Sequence, residues 1–185
     1  MIYNSVADIF KQIDETRERL VAAVSNLSEA EENFRPAEDS WTVKELTEHL
    51  AKTEASIIPL VFRLLKQAEA DGAATATPSD GTINPPISLA EVYEKSKAAR
   101  FQAPEMIRPD GSTSISESLA KLAESRETIR GVRPRLEAVD LSKTAFPHRA
   151  FGNLNLYQWL AFIGLHETRH LEQIEKILAE ARESN

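Results

Sequence analysis

From Leu156 onward, Leu156, Trp159, Ile163, His166, His170, Ile174, Ile177 and Ala181 recur at steps of three and four, which makes the end of the chain a helix with two histidines on its core stripe. Leu165-His166-Glu167-Thr168-Arg169-His170-Leu171 spends half of the chain's four histidines on one helical turn. Imidazoles at i and i+4 project from one side of a helix, so both reach a single cation. Facing a core, they need a partner, and a metal ion serves both at once.

The other apolar stripes are also helical. Val6, Ile9, Phe10, Ile13, Leu20, Val24 and Leu27 predict a first helix from Ser5 to Leu27. Thr42-Val43-Lys44-Glu45 has the spacing of a capping box and opens a second helix carrying Val43, Leu46, His49, Leu50, Ile57, Val61, Leu64, Leu65 and Ala68, which Pro59 should bend or split. Asp71 to Ile87 reads as a crossover loop, and Ser88-Leu89-Ala90-Glu91 opens a short helix to about Gln102. Ser114-Ile115-Ser116-Glu117 starts a third long helix with Leu119, Leu122, Ile129, Val132 and Leu136 on its stripe, weakened at the end by Gly131 and Pro134. A loop from Asp140 to Leu154 leads to Asn155 as N-cap of the last helix. No alternating run argues for a sheet. The expectation is an all-α fold, a four-helix bundle with one short extra helix in a crossover, forming a single domain over residues 1–185.

Composition narrows the chemistry. The chain has no cysteine, which removes disulfides, thiolate ligands and a cysteine nucleophile, and leaves His, Asp and Glu as the strong metal ligands. A formal charge of −7 with scattered basic residues argues against a nucleic-acid partner. No apolar run has membrane-spanning length and the first residues lack a signal-peptide pattern, so a cytoplasmic location is expected.

His166-Glu167-x-x-His170 also matches the pattern in which two histidines hold zinc and a glutamate activates water for proteolysis. The extended form of that motif requires Gly and His where Gln173 and Lys176 stand, and only fifteen residues follow His170. A third ligand must therefore come from upstream. His49, on the inward stripe between Leu46 and Thr53, is the best placed; His148 lies in a proline-containing loop. Three neutral imidazoles suit zinc, nickel, iron or cobalt and leave a coordination position open.

Trp41-Thr42-Val43-Lys44-Glu45-Leu46-Thr47-Glu48-His49-Leu50, Gly152-Asn153-Leu154-Asn155-Leu156-Tyr157-Gln158-Trp159-Leu160 and His166-Glu167-Thr168-Arg169-His170-Leu171-Glu172-Gln173-Ile174 together resemble the DinB superfamily, in particular its YfiT-like branch. The resemblance extends over nearly the whole chain. It implies an up-down-down-up bundle holding a divalent ion, zinc or nickel first and iron, cobalt or manganese as alternatives, on His49, His166 and His170. It also implies a homodimer and either a metal-dependent hydrolase or a transferase of low-molecular-weight thiols such as bacillithiol, mycothiol or glutathione. Some relatives carry a further histidine on the third long helix, where this chain has Ser125-Arg126-Glu127.

Around the histidines, five residues are candidates for supporting roles. Glu45 and Glu167 are carboxylates able to hold a ligand imidazole by its second nitrogen, although Glu167 points about 100° away from His166. Arg126, on a core stripe, would clamp a substrate carboxylate or pair with an internal glutamate. Trp159 and Ile163 would line a pocket wall or simply pack. A metal with an open position would polarise water or bind a thiol as thiolate. The alternative to an enzyme is a noncatalytic small-molecule-binding or stress-associated scaffold bundle.

Overall fold

Ser5 ends a strand and starts a helix: its hydroxyl accepts the Asp8 N–H at 3.1 Å and satisfies a backbone donor that the helix itself leaves open. The computed structural model describes residues 2–71, 81–98 and 102–184. In chain order these form β1 (Ile2–Ser5), α1 (Val6–Val24), α2 (Glu29–Asn33), α3 (Val43–Ala70), β2 (Thr82–Ser88), α4 (Ala90–Ala98), α5 (Ile115–Gly131), α6 (Arg133–Glu137), β3 (Ala145–His148), β4 (Gly152–Asn155) and α7 (Leu156–Glu183). Reciprocal capping boxes begin α3 with Thr42 and Glu45, α5 with Ser114 and Glu117, and α7 with Asn155 and Gln158.

Contacts between α1, α3, α5 and α7 give their directions. Arg17 meets Glu167 and Arg19 meets Glu175, so α1 and α7 run parallel. Ile115 and Leu122 share a core cluster with Leu46 and Leu50, whereas Ile129 shares one with Ile57 and Val61, so α3 and α5 run parallel. Leu46 and Leu50 share a core cluster with Ile174 and Ile177, whereas Ile57 and Val61 share one with Trp159 and Ile163, which sets α3 antiparallel to α7. The result is an up-down-down-up four-helix bundle. Two successive parallel helices need a connection that returns along the bundle, and β2, α4 and a 3₁₀ turn at Glu105–Ile107 lie on that return.

A layer of charge divides the core. Each long helix contributes one residue, Arg17, Glu54, Arg126 and Glu167, between an apolar cluster holding Ile13, Ile57, Ile129 and Ile163 and another holding Leu20, Leu50, Leu122 and Leu171. Arg17 Nε lies 2.6 Å from Glu167 Oε1 and its Nη2 2.5 Å from Glu54 Oε2. Arg126 Nη1 donates to the Ile13 carbonyl at 2.7 Å and to Asp14 at 2.9 Å, while its Nη2 is 3.5 Å from Glu167 Oε2. Beside this layer Gly164 lets α1 close on α7: a Cβ there would sit 2.7 Å from the Ile13 side chain.

Several elements depart from the sequence expectation. The chain does contain sheet, in two antiparallel pairs: β1 with β2, joining Tyr3 to Ile87, and β3 with β4, joining Phe146 to Leu154. Each is only two strands, and Pro85 and Pro86 interrupt any alternation in β2, so periodicity gives no signal. α1 stops at Val24 rather than Leu27, and α2 follows from a Ser28–Glu31 capping box that the stripe analysis passed over. α3 runs unbroken through Pro59, because the proline and Ala55, whose carbonyl loses its donor, are both exposed to water. Ser88 ends β2 and accepts from the Ala90 N–H at 3.2 Å, and α4 starts at Ala90. The third long helix breaks at Val132 into α5 and α6, with Pro134 early in α6 where its missing donor costs nothing. Residues 72–80 of the expected crossover loop and 99–101 at the expected end of the short helix lie outside the described residues.

Glu167→Ala should leave two buried guanidinium groups short of a counter-charge and cost about 3–5 kcal/mol of stability in urea unfolding. Arg19→Ala, whose partner Glu175 is itself half exposed, should change stability by less than about 1 kcal/mol in the same measurement.

Candidate metal centre

His49 comes from the second turn of α3, and His166 and His170 from the middle of α7. The antiparallel packing of those helices brings the three rings together. His166 Nε2 is 3.3 Å from His49 Nε2 and 3.2 Å from His170 Nε2, and the three ligand atoms all lie within 4.8 Å of one another. Two nitrogens sharing a tetrahedral zinc would be roughly 3.3 Å apart, given zinc–nitrogen bonds of about 2.0–2.1 Å.

The outer nitrogens decide what the inner ones offer. His49 Nδ1 lies 2.8 Å from the Ile107 carbonyl oxygen, an acceptor only, so Nδ1 carries the proton and Nε2 keeps its lone pair. His170 Nδ1 faces Gln173 Oε1 at 3.2 Å and is set the same way. One proton on His166 Nε2 serves one of these two lone pairs well and leaves the other without a donor. A divalent cation takes all three, and this donor set fits one.

Electrostatics keep the rings neutral. Burial pulls His49 below its ordinary value against the pull of the Ile107 carbonyl. Burial, and then the neighbouring His170 and His49, hold His166 well below it. His170 is lowered to about 3 by burial, with His49 and Arg169 adding to the effect. Neutral imidazoles are the form that binds metal. On the side of the charged layer a cavity of about 10 Å³, room for a single water, is lined by Thr53, Glu54, Ile163, His166 and Glu167 among others. Thr53 Oγ1 is buried there without a protein hydrogen-bond partner.

The remaining candidates separate from the histidines. Glu45 accepts from the Thr42 N–H with one carboxylate oxygen and from Arg35 with the other, so its capping duty and an ion pair use it, and the Ile107 carbonyl orients His49 instead. Glu167 is neither exposed nor on an imidazole: it is 2% exposed, burial pushes its carboxyl up, and Arg17 pulls it back. The 100° offset from His166 turns it into the bundle interior, because α7 is covered on that side too. Arg126 is not free to clamp a substrate, since Ile13, Asp14, Glu54 and Glu167 surround it. Trp159 braces the β3–β4 hairpin, donating from Nε1 to the Phe146 carbonyl at 3.1 Å and packing 5.4 Å from the His148 ring. Gly152, at φ +75°, opens the second strand of that hairpin. Ile163 lines the small cavity next to His166.

Three contributors were not among the candidate site residues. Trp41 covers the His49 ring with centroids 4.8 Å apart, Ile107 supplies the orienting carbonyl, and Gln173 holds His170. Gln173 was legible, being three residues after His170 on one helix face. The Ile107 carbonyl was not, because no side-chain pattern marks a backbone acceptor on a crossover.

Comparison with known proteins agrees with this architecture. The family model for the DinB superfamily matches residues 12–174. The uncharacterized protein YuaE of Bacillus subtilis is 26% identical over 155 residues, which are 83% of this chain and 87% of that one. The protein named "Putative metal-dependent hydrolase OB0413" of Oceanobacillus iheyensis is 24% identical over 169 residues, covering 91% of this chain and 83% of its own. The crystal structure of TT2238, a four-helix bundle protein, superposes with a TM-score of 0.58 over 91% of this chain and 96% of the other at 22% identity, a likeness of fold.

The depressed imidazoles predict a pH dependence for the metal-free protein. The unfolded chain takes up protons near the ordinary histidine pKa of about 6.5, and the folded chain refuses them to lower pH, so stability is complete above that value and falls progressively below it. Urea unfolding of metal-free protein between about pH 7.5 and 4.5 should show this loss, with a shallower slope in the variant carrying Gln at positions 49, 166 and 170. Equal slopes would contradict the assignment of buried neutral rings.

Proposed function

The chain belongs to the DinB superfamily, and we propose that it is a divalent-metal-dependent enzyme that activates a small nucleophile, water in a hydrolase or a thiol in an S-transferase. The observation that carries this reading is the convergence of three imidazole Nε2 atoms, two of them on rings, His49 and His170, that are oriented from outside. His49, His166 and His170 would hold the ion, and three protein ligands leave a position for the reacting molecule. When bound, the ion supplies a Lewis acid that lowers the pKa of a water or thiol placed on it. Zinc and nickel suit three imidazoles best, with iron, cobalt and manganese as alternatives.

The protein's own part is to position and to exclude. Trp41 and Ile107 fix His49, Gln173 fixes His170, and the caps on α3 and α7 hold the helices that carry them. The hydrolase reading takes support from the printed name of the Oceanobacillus relative. The thiol reading takes support from the carboxylates. Glu45 is a cap, Glu48 is held by Lys52 and the Gly111 N–H, and Glu54 and Glu167 are held by arginines. Water attack would call for a base to take its proton onward, whereas a thiol held by a divalent ion would be acidic enough to give its proton to solvent. A small molecule is the fitting substrate for a chain of formal charge −7.

Elemental analysis of untagged protein, as purified and after reloading, should give close to one equivalent of metal, falling below about a tenth in His166→Ala. Loaded protein should turn over either activated esters and amides or a thiol with a generic aromatic electrophile, and His166→Ala should abolish that turnover. Metal uptake with stoichiometric ligand binding and no conversion would identify a binding module. Failure to take up metal even after reloading would leave only a scaffold bundle.

A further inference from the structure

Arg17 and Arg126 are buried and each meets two or more carboxylates, but Arg169 is treated differently. It is partly buried between α7 and α4, and among the described residues its one hydrogen-bond partner is the Ser96 main-chain carbonyl, bonded by Nε at 3.0 Å. Ser96 is itself buried, so this bond anchors the guanidinium to a packed segment of α4. Among the described residues, Nη1 and Nη2, the fork that pairs with planar anions, have no protein acceptor.

Its place on α7 puts Arg169 on the helix face that carries His166, one of the three histidines. Arg169 is three residues after His166 and next to His170, and residues at i and i+3 share a helix face. The carboxylates in reach of α7 are spent elsewhere: Glu167 and Glu54 on Arg17, and Glu172 on the Tyr93 hydroxyl. A half-buried cation without a counter-ion gains more from an incoming anion than a fully hydrated one does.

We infer that Arg169 is an anion clamp that selects substrates carrying a carboxylate next to the atom that reacts at the three-histidine site. This rests on the proposed function for the reacting atom, while the carboxylate site stands on Arg169 and Ser96 alone. A core cation aimed at a substrate carboxylate, the role expected for Arg126 on α5, falls instead to Arg169 on α7.

The test compares 3-mercaptopropionate with its methyl ester. With cobalt-loaded protein, followed by the cobalt absorption bands, the acid should bind about tenfold or more tighter than the ester. In Arg169→Gln the two should bind within about twofold of each other, with Arg169→Lys between, since lysine keeps the charge and loses the fork. In metal-free wild-type protein the Arg169 Nε–H resonance should shift on adding the acid and stay in place with the ester. Equal binding of acid and ester by wild type, an undiminished preference in Arg169→Gln, or an unmoved resonance would each overturn the clamp while leaving metal activation intact. Absence of metal uptake together with an acid-specific shift of that resonance would do the reverse, removing the metal reading and supporting the clamp.

Discussion

The bundle is organised around a four-residue layer of charge. Arg17, Glu54, Arg126 and Glu167 come one from each long helix, sum to zero, and separate two apolar clusters that would otherwise merge. Apolar surfaces tolerate sliding and rotation at small cost, whereas two guanidinium groups placed against two buried carboxylates tolerate very little. The layer therefore sets the rotational phase of α7. With Glu167 turned to Arg17 on α1, His166 and His170 must face His49 on α3.

That coupling explains why a motif matching a protease pattern serves a different arrangement. In His166-Glu167-x-x-His170 the histidines and the glutamate leave the helix in different directions, and here both directions are interior. The glutamate is consumed in holding the bundle, so the site consists of imidazoles and no carboxylate. A site of neutral ligands leaves a divalent ion's charge uncompensated, and Arg169 adds to it. Such a centre would be opposite in sign to the chain's net charge of −7, which would favour a small anion over a polyanion.

The return from α3 to α5 shows what a crossover contributes beyond connection. Parallel neighbours require the chain to travel back along the bundle, and on the way it places the Ile107 carbonyl on His49 and the Ser96 carbonyl on Arg169. Both groups are main-chain atoms. Their positions depend on where the segment lies and on nothing that the identity of Ile107 or Ser96 announces.

The four long helices, their caps at Ser5, Thr42, Ser114 and Asn155, and the shared face of His166 and His170 were legible in the sequence, because helix period and cap chemistry act within a few residues. The short strand pairs were not, since two strands of four to seven residues carry too little alternation. Nor could spacing tell that Glu45 was committed to its cap and Arg35, that Arg126 and Glu167 were spent on each other's layer, or that Arg169 was spared. Local periodicity determines which side chains lie on which stripe. Which stripe meets which, and so which charges are neutralised, is settled by the packing of segments more than a hundred residues apart, as between Arg17 and Glu167.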